Sequence, residues 1–144
     1  MDDVNAATAT QVPGFLRRLL CLIYEGFLLT AVWFVAALAF LAASRAAGLD
    51  VARPLFQSYL LLVGAFYFVP QWHRGQTLPM KTWRIRLVSQ HGGGVSRARS
   101  LLRYICAVLS WSLLGAGLLW ALVDRDRQFL HDRLCGTRLI RIAR

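Results

Sequence analysis

Leu19–Ala43 reads LLCLIYEGFLLTAVWFVAALAFLAA, 25 residues with a single ionisable side chain, Glu25. An α-helix rises about 1.5 Å per residue, so about 20 apolar residues cross the roughly 30 Å hydrocarbon core of a bilayer. This stretch is long enough to do so. Two more apolar blocks follow: Leu55–Trp72, 18 residues with no charge, and Tyr104–Val123, 20 residues with no charge. A chain of 144 residues forms about one domain, and a soluble domain of that size has little room to bury three such blocks. The expectation is an all-α membrane protein of about three transmembrane helices, at about 16–44, 55–72 and 98–123. They form one membrane domain, 14–142, with a flexible N-terminal tail over 1–13, a loop over 73–97 and an amphipathic tail over 124–144.

The first block is not a cleaved signal peptide. It is longer than the 7–15 residues of a signal's apolar region, and the residues before it are polar and include Asp2 and Asp3. Arg17 and Arg18 abut it as in a retained signal-anchor.

Composition agrees. The chain is 57% hydrophobic with a formal net charge of +10, which excludes disorder. The positive charge is grouped. His73–Arg103 holds seven basic residues (Arg74, Lys81, Arg84, Arg86, Arg97, Arg99, Arg103) and no acid. The link 44–54 has only Arg45 and Arg53, offset in part by Asp50. By the positive-inside rule the N-terminus and the 73–103 loop are cytoplasmic and the first link lies outside. Basic charge placed this way orients the chain and meets anionic lipid headgroups. No zinc finger, RNP motif or stacking platform points to nucleic acid.

Two courses are open for the third block. Its length fits a spanning helix. It also contains Leu114-Gly115-Ala116-Gly117, where Gly weakens a helix in water, and a full crossing would put the Arg-rich tail outside, against the rule. A break there makes the element re-entrant and keeps the tail inside. Thr82–Gln90 alternates apolar and charged residues, as in a half-exposed strand. Thr137–Ile142 mixes Leu139, Ile140 and Ile142 with Arg. The two stretches can pair as a small interfacial basic hairpin if both lie on one side. His91-Gly92-Gly93-Gly94 supplies a turn, and Ser96 is an N-cap candidate.

Chemistry-bearing residues are few. Glu25 lies seven residues past Arg18, on the same helix face and about 10 Å along the axis. A lone carboxylate in a membrane helix is costly and marks an ion, proton or ligand site, or else a buried pair with an Arg. Asp124, Arg125, Asp126, Arg127, His131, Asp132 and Arg133 form a charged cluster after the third block. It reads as interfacial anchoring, or as a set in which Asp132 or Arg127 folds against Arg18 or Glu25. Cys21, Cys106 and Cys135 have neither CxxC spacing nor a disulfide framework. The glycine triplet has no GK[ST] after it, and two ligands at His131 and Cys135 do not make a zinc site. No enzyme activity, metal or cofactor is expected.

Three stretches together resemble the RDD family of bacterial integral membrane proteins, named for one Arg and two Asp. Gly14-Phe15-Leu16-Arg17-Arg18-Leu19 to Glu25 is similar to the start of its first helix. Gly75-Gln76-Thr77-Leu78-Pro79-Met80-Lys81 to Val88 resembles its GQTLG-type loop. Leu130-His131-Asp132-Arg133-Leu134 with Gly136-Thr137 resembles its closing motif. The likeness spans about residues 13 to 142. Here the first signature Asp is Glu25, and a usual Gly is Pro79. The resemblance implies a site of Arg18, Glu25 and Asp132, supported by Arg17, Gln76, Thr77, Lys81, Asp124, Arg127 and His131. It implies a protein of the bacterial inner (plasma) membrane, which the apolar blocks make multi-pass and in contact with lipid; three short helices enclose little space, so a homo-oligomer or a partner membrane subunit is expected. Two roles follow from it: transport of ions or small solutes, or a non-catalytic accessory or scaffold subunit of a larger complex.

Overall fold

The computed structural model describes residues 12–113, 115, 119, 120, 123, 124 and 129–142. Residues 1–11 of the expected 1–13 tail, and Leu114, Ala116, Gly117, Arg125, Asp126 and Arg127, lie outside the described residues. The elements run α1 (Phe15–Ala46), α2 (Arg53–His73), α3 (Leu78–Thr82), β1 (Ile85–Ser89), α4 (Arg97–Ser112), α5 (Leu130–Leu134) and β2 (Thr137–Arg141).

The first apolar block becomes α1, 32 residues and about 48 Å long at 1.5 Å per residue. It ends where the sequence supplies a glycine. Gly48 takes φ +65°, its N–H donates to Arg45 O at 3.1 Å, and the Leu49 N–H reaches back to Ser44 O at 2.9 Å. This is a Schellman closure, which needs a left-handed residue and so favours Gly. α2 ends the same way at Gly75, φ +84°, with Gln76 N–H donating to Gln71 O at 3.2 Å. Pro54 sits in its first turn, where the missing N–H costs nothing.

α1 and α2 lie side by side. Trp33 Nε1 donates to Leu60 O at 2.9 Å, and Phe40 packs on Phe56 and Tyr59 with ring centroids 5.4 and 4.7 Å apart. The outward faces are apolar: Phe27 is 71% exposed, Phe34 64% and Phe66 79%. Contiguous apolar surface of this kind suits a hydrocarbon environment and not water. By length and composition α1 can cross a membrane, and among the described residues it is the one helix that meets that test. α2 carries Gln57, Ser58 and Gln71 and is shorter. The expected count of three spans is not confirmed among the described residues.

The third block differs most from expectation. Length alone predicts a helix over 98–123, whereas α4 stops at Ser112. Ser96 caps its start, its Oγ accepting from Arg99 N–H at 3.3 Å. Past its end, Gly115 adopts φ +74°, a left-handed conformation that no α-helix continues through. The chain then returns. Arg103, at the start of the block, pairs with Asp132, beyond its end. β1 and β2 pair antiparallel with Leu87 opposite Leu139 and Ser89 opposite Thr137. The fold is mostly helical, with a two-stranded sheet in place of a purely α architecture. The strand expected over 82–90 starts at Ile85 because Trp83 closes α3 and Arg84 turns the chain at φ +53°.

The compact core lies at this junction and not along the long helices. Ile85, Leu87, Val95, Thr77, Thr137 and Asp132 are among its fully buried side chains. α4 docks on α2 at Gly64, where Tyr104 Oη donates to Leu61 O at 2.8 Å. A Cβ on Gly64 would stand 2.5 Å from that hydroxyl and 3.3 Å from Cζ. Gly64→Ala is expected to cost about 1–3 kcal/mol through overpacking. Most of that cost should vanish when Tyr104→Phe removes the closer atom, which thermal unfolding of the single and double variants checks.

Candidate functional site

Two buried charge centres emerge. The first is Glu25, held on α1 and 8% exposed. Its Oε2 accepts from Thr77 Oγ1 at 2.7 Å and its Oε1 from Tyr67 Oη at 3.3 Å. Thr77 is the N-cap of α3, so the GQTLP segment both starts a short helix and delivers a hydroxyl to the acid of α1.

The second is the Arg103–Asp132 pair, 3% and 1% exposed. Arg103 Nη1 also donates to Thr137 Oγ1 at 2.9 Å, Thr137 Oγ1 donates to Asp132 O at 3.3 Å, and the guanidinium carbon lies 4.8 Å from the Trp72 ring. One side chain thus ties α4 to α5, β2 and α2. Replacing one partner of such a pair strands a buried charge.

The residues singled out from the sequence separate between these centres. Arg18 is buried and its Nε donates to Pro13 O at 3.0 Å. It lines the same cavity as Glu25. Asp132 is placed against Arg103, not against Arg18 or Glu25. Gln76 Nε2 donates to Ile85 O at 2.9 Å and so anchors β1. Lys81 is exposed and Arg17 half-buried. Asp124 pairs with Arg133, which is 54% exposed. Arg127 lies outside the described residues. Sequence reasoning missed Arg103 and Tyr67. The signal for Arg103 was present, since it is the last cation before the third apolar block; Tyr67 is one aromatic among many in α2 and had none.

His131 stands with Nε2 3.7 Å from Asp132 Oδ1 and stacks on Phe129. Burial pushes its pKa from 6.5 down to about 4; Asp132 opposes the shift and Arg103 adds to it. The folded protein keeps this imidazole neutral while the unfolded chain protonates it. Its contribution is therefore present above the unfolded value of 6.5 and is lost as pH falls through about 4. The midpoint of thermal unfolding should drop across that window, and His131→Gln should flatten the slope. Burial and the neighbouring Cys106 push the Cys135 thiol up to about 12, so it is inert near neutrality. Among the described residues no three His, Cys, Asp or Glu side chains are grouped to hold a metal ion.

A cavity of about 680 Å³ lies between α1, α2 and α4, with Arg18, Glu25 and Arg103 on its wall amid apolar and aromatic side chains. The architecture is thus that of a mostly helical membrane protein with buried charges at the end of an apolar helix pair. The chain belongs to the RDD family, whose profile matches residues 12–136; the family is membrane-associated. No curated protein and no solved structure matches it.

Proposed function

We propose that this protein moves an ion or small solute across the bacterial inner membrane through the cavity bordered by Arg18 and Glu25. The observation that carries this reading is a carboxylate on the apolar crossing helix that opens onto a cavity of ligand-binding size, about 680 Å³, within the roughly 300–1,000 Å³ usual for such sites. Buried ionisable groups in membrane helices are rare and concentrate on substrate and ion paths. Asp132, the third signature residue, acts here with Arg103 as the clasp that closes the cavity's end. One copy encloses little space, so the working unit is an oligomer or includes a partner subunit. The N-terminus is cytoplasmic, and the basic face of residues 73–103 rests on anionic headgroups. Solute flux in vesicles reconstituted with wild-type protein and with Glu25→Gln tests the reading.

One observation favours the second reading, an accessory or scaffold subunit. The Arg103–Asp132–Thr137 network fastens elements together and exposes little to a solute. On that reading Glu25→Gln lowers protein level and partner co-purification instead of flux.

A further inference from the structure

Most polar groups on the cavity wall already have partners. Trp33 Nε1 and Tyr104 Oη donate to backbone carbonyls of α2, and Glu25 accepts from two hydroxyls. Two donors do not. Arg103 Nε and Trp72 Nε1 are buried and have no hydrogen-bond partner among the described residues. Both side chains line the cavity, they are 3% and 5% exposed, and they are neighbours, the guanidinium carbon 4.8 Å from the Trp72 ring. Both hydrogen bonds found for Arg103 use Nη1, so its Nε edge meets no acceptor. A buried donor left unmade costs about 1–3 kcal/mol, and native folds keep few of them. The side edge of a guanidinium matches the two oxygens of a carboxylate or phosphate. The rest of the wall is mostly apolar, although Arg18, Glu25 and His131 also belong to it. Ile23 and Trp111 belong to it and are themselves 48% and 62% exposed, so the cavity opens along α1 and α4, where hydrocarbon would surround the protein.

We propose that the cavity binds a single-chain amphiphile with an oxyanion head, a carboxylate or a phosphate monoester. Its oxygens take the hydrogens of Arg103 Nε and Trp72 Nε1. Its chain runs past Val108 toward Trp111 and out to the bilayer. The assignment rests on reading the cavity as the solute path, and it names the class of that solute. Glu25 does not hold the head; its oxygens are occupied by Thr77 and Tyr67.

The test is quenching of tryptophan emission by ω-brominated dodecanoate and ω-brominated dodecyl phosphate, with the full chain in phosphatidylcholine nanodiscs. Trp33 and Trp111 also line the cavity, so a signal survives in Trp72→Phe. Saturable quenching is expected from at least one of the two oxyanions, and the comparison between them tells carboxylate from phosphate. Brominated dodecanol and dodecyltrimethylammonium should bind at least about tenfold more weakly, the equivalent of one charge-assisted hydrogen bond. Trp72→Phe should weaken oxyanion binding several-fold and Arg103→Lys by at least about tenfold. Equal binding of the neutral or cationic amphiphile overturns the assignment, and so does oxyanion binding unchanged in Trp72→Phe. The headgroup series on the unaltered protein decides the matter even if Arg103→Lys fails to fold. Glu25-dependent flux with no oxyanion binding overturns this assignment and leaves the transport reading standing; oxyanion binding with no flux does the reverse.

Discussion

Asp132→Ala is expected to lower stability by about 3–5 kcal/mol, the cost of leaving one member of a buried ion pair without its partner. Arg103 would then keep a full charge at 3% exposure, with Thr137 Oγ1 at 2.9 Å as its remaining acceptor. The Thr137 hydroxyl would keep its bond to the backbone carbonyl of residue 132, so the loss falls on the charge and not on the turn itself. The comparison within the protein is Asp124→Ala. There the carboxylate is 3% exposed, but the cation left behind, Arg133, is 54% exposed, so its removal strands no buried charge. Thermal unfolding should therefore show the larger loss in Asp132→Ala. Adding Arg103→Leu to Asp132→Ala should recover part of the loss, because an apolar side chain there no longer needs a counter-charge. An Asp132→Ala loss no larger than that of Asp124→Ala would show that the pair is not the clasp described.

Glu25→Gln is expected to bring solute flux to background while the protein still inserts and folds. Gln is close to isosteric and keeps a carbonyl oxygen to accept from Thr77 Oγ1, the shorter contact at 2.7 Å. The second contact, from Tyr67 at 3.3 Å, loses its acceptor if the amide nitrogen faces it, and this costs about 1 kcal/mol. The charge, and the ability to take up and release a proton or pair with a cation, disappear entirely. Wild-type flux in the variant would remove Glu25 from the path. Loss of protein rather than flux would favour the scaffold reading.

Much of this was legible in the chain. The long apolar run before Ser44 contains neither Gly nor Pro beyond Gly26, so α1 follows from hydropathy and length alone. The closures at Gly48 and Gly75, a few residues past the expected ends at 44 and 72, came with the structure. The alternation of Trp83, Ile85 and Leu87 with Arg84 and Arg86 pointed to the strand, while its pairing with Thr137–Ile142 was left conditional on both stretches lying on one side. The course of the third block was not legible. Hydropathy does not register direction, and 20 uncharged residues read alike whether the helix crosses or turns at Gly115. What decides it is a contact between Arg103 and Asp132, 29 residues apart, and nothing local encodes that contact. The same limit applies to the site. Arg18, Glu25 and Asp132 stand out as charges near apolar blocks, but their partners are set by helix packing, so the grouping of Asp132 with Arg103 and of Glu25 with Thr77 came only with the fold.

β1 and β2 are paired in the fold, and we propose that both lie on one face of the membrane, so that the chain leaves and rejoins that face around the third apolar block. Single cysteines in a background without Cys21, Cys106 and Cys135 test it directly, through labelling of intact vesicles with a membrane-impermeant maleimide. The exposed positions are Arg86→Cys on β1, Arg138→Cys on β2 and Asp50→Cys in the link after α1. The account predicts that positions 86 and 138 label from the same face and position 50 from the other. Labelling of position 138 together with position 50, and not with 86, would contradict it.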